Sequence, residues 1–242
     1  TVTAQTVIPV NTTSMAVADD GQCSLIEAIT AANTDTASGA ASGECPAGAG
    51  ADSINLGIGE TYTLATVHNT TDGANGLPAI TTDITINGHG STITRSSAGG
   101  TPQFRFFHIS SGSSLALSAL SLTAGDAGGV DGGAIFSNGA LTLTNVTLAN
   151  NTANQGGGLL IASTGSATIS DSHLTTNTST SLGGGFYVQS GGSAAVATTL
   201  IDLNQGGSYG GGLYADGTLT ISDSTIADNT AGGGAGLRAC CN

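Results

Sequence analysis

The sequence of 242 residues contains no lysine and no tryptophan, and only 8% of its residues are charged. Positive charge is confined to three arginines, Arg95, Arg105 and Arg238, against 16 acidic residues. Nucleic acids and anionic membrane surfaces are bound through clustered lysine and arginine side chains, so the composition argues against both kinds of partner. The net charge of −13 would also repel an anionic polysaccharide.

Cysteine is scarce, and its positions do not resemble a metal site. None of Cys23, Cys45, Cys240 and Cys241 forms a C-x-x-C pair, and the four histidines lie far from them in sequence. The spacing therefore gives little support to a zinc site. An even number of cysteines in a chain of low charge favours disulfide bonds and a location outside the cytoplasm. No apolar run in the sequence is long enough to cross a bilayer as a helix.

Glycine and small β-forming residues are abundant. The chain contains 39 glycines, and 38% of its residues are hydrophobic. Disordered chains are rich in charge and poor in β-branched residues, whereas here charge is low and Ile, Val and Thr are common. We therefore expect a regular β architecture with many tight turns.

A repeated unit occupies the second half of the sequence. It consists of an aliphatic residue, two further residues, an asparagine, a short linker and a group of glycines. Successive asparagines are 26, 27 and 25 residues apart, and they are Asn151, Asn177, Asn204 and Asn229. A period of this length without a helical pattern predicts the coil of a β-solenoid, in which each unit covers the inner face of the next.

Within each coil, aliphatic side chains should point inward while Thr and Ser point outward. The repeated asparagines should turn inward at a bend, bond to the backbone and stack as a ladder. The segments 52–64, 83–94 and 104–125 show the same alternation less regularly and are predicted to be the earlier coils. The stretch 65–79 is predicted to be a loop that protrudes from one of them.

The segment CSLIEAITAAN, residues 23–33, has a helical pattern. Ser24 and Glu27 form a capping box, and Leu25 and Ile29 belong to an apolar face at helical spacing. A helix this short is marginal alone, so we expect it to lie across the open end of the first coil and cover its core.

Cys45 follows Cys23 after a loop rich in alanine, glycine and serine. A disulfide bond between them would stabilise this loop by roughly 3 kcal/mol in the chain-entropy account. Residues 1–242 are predicted to form one domain of about seven to nine coils. An N-terminal strand, the cap helix and the disulfide loop occupy 1–50, and the β-helix coils occupy 51–242.

The cap and the repeats together resemble a known family. DDGQCSLIEAITAANTD, followed by Cys45 and GADSINLGIGETYTL, is similar to the N-terminal module of parallel β-helix proteins named for a Cys-Ser-Leu-Arg-Glu-Ala motif, although Ile26 stands where that motif has arginine. The later GGAIFSNG and aliphatic-x-x-Asn units are similar to the repeats of polymorphic outer-membrane autotransporter passengers. The resemblance covers nearly the whole chain. It implies an all-β, right-handed parallel β-helix that is secreted or displayed on a bacterial surface, without a settled catalytic activity.

Two motifs invite a catalytic or metal-binding interpretation. Asn87-Gly88-His89-Gly90 is similar to the Gly-His-Gly of pectin hydrolases, but those enzymes need converging carboxylates and a lysine-containing motif, so a glycine-bounded turn is preferred here. Asp171 and Asp223 recur in TISDS two coils apart and could bind Ca²⁺. Asn145 and Thr198 fill the matching positions, which favours turn-forming side chains at one corner instead. No other cofactor is expected.

Exposed aromatic rings would favour a module that binds neutral glycans. The chain has only nine phenylalanines and tyrosines. Phe136, Phe186, Tyr187 and Tyr214 follow glycine corners, where we expect them to pack inward. Tyr209 is then the aromatic residue predicted to be exposed.

The C-terminal segment GGGAGLRACCN begins a further coil without a capping element. Cys240 and Cys241 would form a strained ring if bonded to each other, so a disulfide across a junction between two copies is the alternative to a vicinal one. The uncapped end indicates either a longer protein or docking onto another protomer. Head-to-tail docking that does not close produces a filament.

The sequence therefore predicts a secreted or cell-surface structural β-helix protein, non-catalytic and able to self-assemble head-to-tail through its ends. One alternative is an adhesin for glycans or other surfaces. Another is a β-helix lyase or hydrolase that acts on polysaccharides.

Overall fold

The structure, a computed structural model, describes residues 5–240. Its regular elements are nearly all β-strands, arranged as a parallel β-solenoid of about seven turns with one short helix in the described part. This confirms the all-β solenoid with a helix near its N-terminus.

The elements in chain order are β1 (Val7–Pro9), α1 (Leu25–Thr34), β2 (Asp52–Asn55), β3 (Thr61–Leu64), β4 (Asp83–Arg95), β5 (Phe107–Ile109), β6 (Ser114–Thr123), β7 (Ile135–Ser137), β8 (Ala140–Ala149), β9 (Thr152–Ala153), β10 (Leu159–Ile161), β11 (Ser166–Ser170), β12 (His173–Thr175), β13 (Thr178–Ser179), β14 (Phe186–Val188), β15 (Ser193–Ala197), β16 (Leu200–Asp202), β17 (Gln205–Tyr209), β18 (Leu213–Ala215), β19 (Thr218–Ser222), β20 (Thr225–Ala227), β21 (Thr230–Gly233) and β22 (Leu237–Ala239).

Three parallel sheets run along the solenoid. The largest follows the order β1-β2-β4-β6-β8-β11-β15-β19, with β3, β12, β16 and β20 paired beside this path. A six-stranded sheet joins β5, β7, β10, β14, β18 and β22, and a four-stranded sheet joins β9, β13, β17 and β21. Successive rungs pair in register, so that Leu143 lies beside Ile169 and Ile169 beside Val196. All three side chains are buried, because each rung covers the next.

Two corners repeat a left-handed backbone conformation. At the first, φ lies between 46° and 54° at His89, Ala119, Asn145, Asp171, Thr198 and Asp223. At the second, φ lies between 52° and 62° at Ala124, Asn150, Thr176, Leu203 and Asp228. Asn and Asp adopt this conformation more readily than other non-glycine residues, which explains why they recur there.

The helix α1 covers the N-terminal end of the core. The Ser24 hydroxyl accepts a hydrogen bond from the backbone N–H of Glu27 at 3.2 Å, and the Glu27 carboxylate accepts one from the N–H of Ser24 at 2.9 Å. The other Glu27 oxygen accepts from the N–H of Ala18 at 2.8 Å, which ties the preceding loop to the helix. Leu25 and Ile29 are fully buried in the same core as the first rungs.

A disulfide bond joins Cys23 to Cys45, and both residues are buried. The carboxylate of Glu44, next to Cys45, accepts hydrogen bonds from the backbone N–H groups of Asp20 and Gly21, each at 2.8 Å. The loops on the two sides of the disulfide are thus also held together by hydrogen bonds, and the N-terminal end is fixed as one unit.

The segment 65–79 differs from the protruding loop that the sequence predicts. Residues 75–78 are buried, and Asn75 pairs with Arg105 as in a parallel sheet. The N–H of Gly76 donates to the Arg105 carbonyl at 2.8 Å, and the N–H of Arg105 donates to the Ala74 carbonyl at 3.1 Å. The second half of the segment therefore extends the six-stranded sheet by one rung. It supplies hydrogen-bond partners for the backbone N–H and C=O of Arg105, which would otherwise be buried without partners.

Candidate functional site

The last rung of the described solenoid, formed by β19, β20, β21 and β22, has an incompletely covered core. Val196 and Ile201, one rung earlier, are 2% and 0% exposed. Their in-register partners Ile221 and Ile226 are only half-buried. Leu237 in β22 is 40% exposed. Apolar positions that are fully buried in the preceding rung are thus partly exposed here, although Ile221 and Ile226 still pack against the core.

The four asparagines of the repeat form a continuous buried ladder. The backbone N–H and the Nδ2 of Asn151 both donate to the Oδ1 of Asn177, at 3.0 and 2.9 Å. Asn177 bonds in the same way to Asn204, and Asn204 to Asn229. Each Nδ2 also donates to a backbone carbonyl of the preceding rung, as that of Asn177 does to Leu148 at 2.8 Å. The ladder therefore joins neighbouring rungs through their interior.

The ladder has a direction, and it ends at Asn229. Each asparagine uses its Oδ1 to accept from the rung before it and its N–H to donate to the rung after it. The Asn229 amide group is satisfied by Ile201 and Ala227, each at 2.8 Å. Its backbone N–H has no hydrogen-bond partner among residues 5–240. Among residues 5–240 the ladder therefore ends on one donor, the N–H of Asn229.

Cys240 follows β22 and is half-buried. The Tyr214 hydroxyl donates to its Sγ at 3.0 Å. This hydrogen bond, together with the charge of Arg238, lowers the pKa of the Cys240 thiol. Within the described range Cys240 has no disulfide partner, and Cys241 lies outside that range. The vicinal and the intermolecular bond therefore both stay predictions.

The outer face of the six-stranded sheet carries a second row of packed side chains. The central positions of its strands face away from the core, and the row consists of His108, Phe136, Leu160, Tyr187, Tyr214 and Arg238. Leu160, Tyr187 and Tyr214 form an apolar cluster separate from the main core. Tyr187 and Tyr214 are each 7% exposed, with ring centroids 5.5 Å apart.

The prediction that four aromatic residues pack inward is wrong for three of them. Phe186 does face the core, but Phe136, Tyr187 and Tyr214 occupy the outer row. Strand alternation requires this, because neighbouring residues such as Phe186 and Tyr187 point to opposite faces. Tyr209 is 39% exposed, as predicted, and the Arg238 guanidinium lies 3.7 Å from its ring centroid.

The first rungs of the outer row contain a polar group that the sequence did not indicate. We call Asp72, Asn75, Arg105, His108, Asp131 and Phe136 the Arg105 cluster. Arg105 is fully buried, and its guanidinium carbon lies 4.9 Å from the centroid of the Phe136 ring. Its Nη2 donates to the Asp72 carbonyl at 2.9 Å. Burial lowers the pKa of Arg105 to about 10, and the nearby carboxylates of Asp131 and Asp72 oppose this effect.

His108 connects the segment 65–79 to the six-stranded sheet. Its ring is stacked on Phe136, with centroids 5.7 Å apart and planes at 8°. Its Nε2 lies 2.8 Å from an Asp72 carboxylate oxygen, which also accepts from Asn138 at 3.3 Å. A carboxylate only accepts, so His108 donates through Nε2. Asp72 is thereby fixed over the sheet.

Several buried polar atoms of the Arg105 cluster have no hydrogen-bond partner within residues 5–240. They are Asn75 Oδ1, Arg105 Nε, Arg105 Nη1 and His108 Nδ1. Arg105 also takes part in none of the ion pairs of this range, which join Arg95 to Asp126, His108 to Asp72 and His173 to Asp202. Buried polar groups are nearly always paired, so this concentration is unusual.

The structure does not bring the predicted calcium ligands together. Asp171 is exposed, and its carboxylate accepts from the Thr198 hydroxyl at 2.7 Å, one rung away. Asp223 occupies the same corner two rungs from Asp171. Over the described part of the chain, no three His, Cys, Asp or Glu side chains are grouped closely enough to hold a metal ion. His89 lies at the same corner, with its Nδ1 3.1 Å from the Leu56 carbonyl.

Comparison of the chain with known protein families, with curated proteins and with solved structures finds no match. In the described range, no helix is both long enough and apolar enough to cross a membrane.

Proposed function

We propose that the protein is an exported structural β-solenoid that associates with a second copy through its last rung. The difference in burial between Ile201 and its partner Ile226 in the last rung carries this proposal. Strands β19 and β22 end their sheets and offer backbone N–H and C=O groups, which readily pair with another strand.

The surface that fits the last rung is another rung of the same kind. It would place aliphatic side chains over Ile221 and Ile226. A second copy carries such a rung. Because α1 already covers the first rung, the last rung is the incompletely covered end of the described solenoid, and we expect two last rungs to meet in a closed dimer.

Export is supported by the disulfide bond between Cys23 and Cys45, since such bonds persist in oxidising compartments. We further propose that the chain belongs with the β-helix proteins that its Cys-Ser-Leu-Ile-Glu-Ala segment resembles. Ile26, which replaces the arginine of that motif, is 7% exposed and packs in the core. The capping box is complete without the arginine, because Ser24 and Glu27 supply both of its hydrogen bonds.

Light scattering after gel filtration, with and without reductant, tests the association. The proposal predicts a dimer whose fraction rises with concentration. Negative-stain images should show particles of about twice the solenoid length. Filaments would instead indicate head-to-tail docking, and loss of either species on reduction would place a cysteine at the junction. A monomer at every concentration under both conditions would contradict the proposal.

Two variants on β19 distinguish a charge placed in the proposed interface from the same charge placed elsewhere on the surface. Ile221→Lys places a charge on the exposed core of the last rung and should abolish the dimer. Thr220→Lys places the same charge on the outward face of β19 and should leave it intact. Equal loss in both variants would show that the last rung is not the interface.

A further inference from the structure

The Arg105 cluster combines a buried cation with several unpartnered polar atoms. Arg105 is 0% exposed, and its Nε and Nη1 find no acceptor within residues 5–240. A buried charge without an ion pair is strongly unfavourable, and an isosteric apolar side chain would serve packing better. The chain nevertheless places one of its three arginines here.

The unpartnered atoms belong to neighbouring side chains on one face. Asn75 and Arg105 are paired across a parallel bridge, so their side chains point to the same side of the sheet. His108 and Phe136 are paired in register on this side as well. Gly73 closes the group from above, since a Cβ there would lie 2.6 Å from Arg105 Nη2. The same short segment, 72–75, therefore contacts Arg105 and supplies Asn75.

The unpartnered donors and acceptors of the Arg105 cluster determine which ligand could bind them. The guanidinium nitrogens are donors that suit a carboxylate. Asn75 Oδ1 is an acceptor that needs a donor, because its own Nδ2 already binds Asn69, Thr71 and Gly73. Asp72 and Asp131 lie close enough to affect the pKa of Arg105. Their negative charge disfavours a dianion, so a single carboxylate fits better than a phosphate.

We propose that the Arg105 cluster is a binding site for a small hydroxycarboxylate. The carboxylate binds the Arg105 guanidinium beside the Phe136 ring, and the hydroxyl donates to Asn75 Oδ1. Residues 72–73 must move to admit the ligand, and Asp72, which is fixed to His108 and Asn138, holds them closed over Arg105. This site is independent of the last rung, so failure of dimerisation leaves it untouched.

The three arginines allow a direct test on the unaltered protein. Their Nε–H groups give three signals in a nitrogen–proton correlation spectrum, and Arg95 and Arg238 serve as internal controls. Titration with glycolate should shift the Arg105 signal to saturation. Acetate, which lacks the hydroxyl, should bind about fivefold more weakly, as expected for one lost hydrogen bond. Glycolamide, the neutral analogue of glycolate, should not shift the signal.

Three results would overturn the proposal. The Arg105 signal could stay fixed, all three arginine signals could move together, or chloride could shift the Arg105 signal as effectively as glycolate. The variant Arg105→Met adds a second measurement by thermal unfolding. It should be at least as stable as the parent without ligand, because the unpaired charge is gone, and glycolate should no longer raise its Tm. A glycolate-dependent rise that persists in this variant would place the ligand elsewhere.

Discussion

The first and last rungs of the described solenoid are of the same kind, but they are covered differently. At the N-terminal end, α1 packs Leu25 and Ile29 onto the core, and the Cys23–Cys45 bond fixes the loops around the helix. At the other end, Ile221 and Ile226 are half-buried. In a solenoid each rung covers the core side chains of the rung before it. Exposed core surface is therefore confined to the last rung.

This difference implies that the same substitution should have unequal effects at different rungs. Asn177 has ladder neighbours on both sides, whereas Asn229 has one only on its N-terminal side in the described chain. The following predictions use such pairs to sharpen the contrast.

The largest effect is expected for Asn177→Ala. This change leaves the N–H and Nδ2 of Asn151 and the Leu148 carbonyl without partners in the buried interior. We expect a loss of about 4 kcal/mol in the free energy of unfolding. The matched variant Asn229→Ala leaves the corresponding atoms of Asn204 and Ile201 without partners, but Asn229 is 8% exposed in the incompletely covered last rung, so water can replace the lost bonds and the loss should be less than half as large. Urea titrations measure the free energy of unfolding of both variants. Equal losses would contradict the expectation that a ladder asparagine contributes less at the last rung.

Removal of the disulfide comes next. The double variant Cys23→Ser, Cys45→Ser should lower the free energy of unfolding by about 3 kcal/mol. Cys240→Ser, at the other end, is the control and should leave the stability of the isolated chain nearly unchanged. A larger loss for Cys240→Ser would mean that the last rung, and not the capped end, limits stability.

A smaller effect is expected for Ser24→Ala. It removes the acceptor for the Glu27 N–H, and the cost should be about 1 kcal/mol. Thr36→Ala, on the exposed chain after α1, serves as the control with little change. Thermal unfolding followed by far-ultraviolet circular dichroism distinguishes them. An unchanged Tm for Ser24→Ala would show that packing alone holds the helix.

The smallest effect should be a gain. Leu203 adopts φ of 55° at a corner and is 54% exposed, so its side chain strains the backbone without being buried. Leu203→Gly should therefore stabilise the protein by about 1 kcal/mol. Leu203→Ala keeps the strain and should bring no gain, and chemical denaturation of both checks the difference. Stabilisation by alanine alone would assign the effect to the exposed side chain.

The repeat made the later coils predictable, because aliphatic residues, asparagines and glycines return at one spacing and each has a single physical role in a rung. The cap was predictable for a similar reason, since Ser24 and Glu27 lie three residues apart in the pattern of a capping box. Local chemistry was sufficient in both places.

The Arg105 cluster could not be found in this way. Asp72 and His108 are 36 residues apart, and only the segment that folds back onto the six-stranded sheet brings them together. The outer aromatic row was missed for a different reason. The glycines before Phe186 indicated a corner of the coil, but not which face of the sheet the following side chains occupy. Strand alternation places Phe186 and Tyr187 on opposite faces. Three consecutive apolar residues, such as those of β10, were the available signal that both faces of this sheet are covered.

Hydrogen exchange followed by mass spectrometry, at low and at high protein concentration, tests the central claim most directly. We expect slow exchange in α1 and the first rungs at both concentrations, and fast exchange in β19–β22 that slows as the concentration rises. Exchange in β19–β22 that is independent of concentration would contradict docking through the last rung. Protection there as strong as in β15 at low concentration would contradict the difference between the two ends.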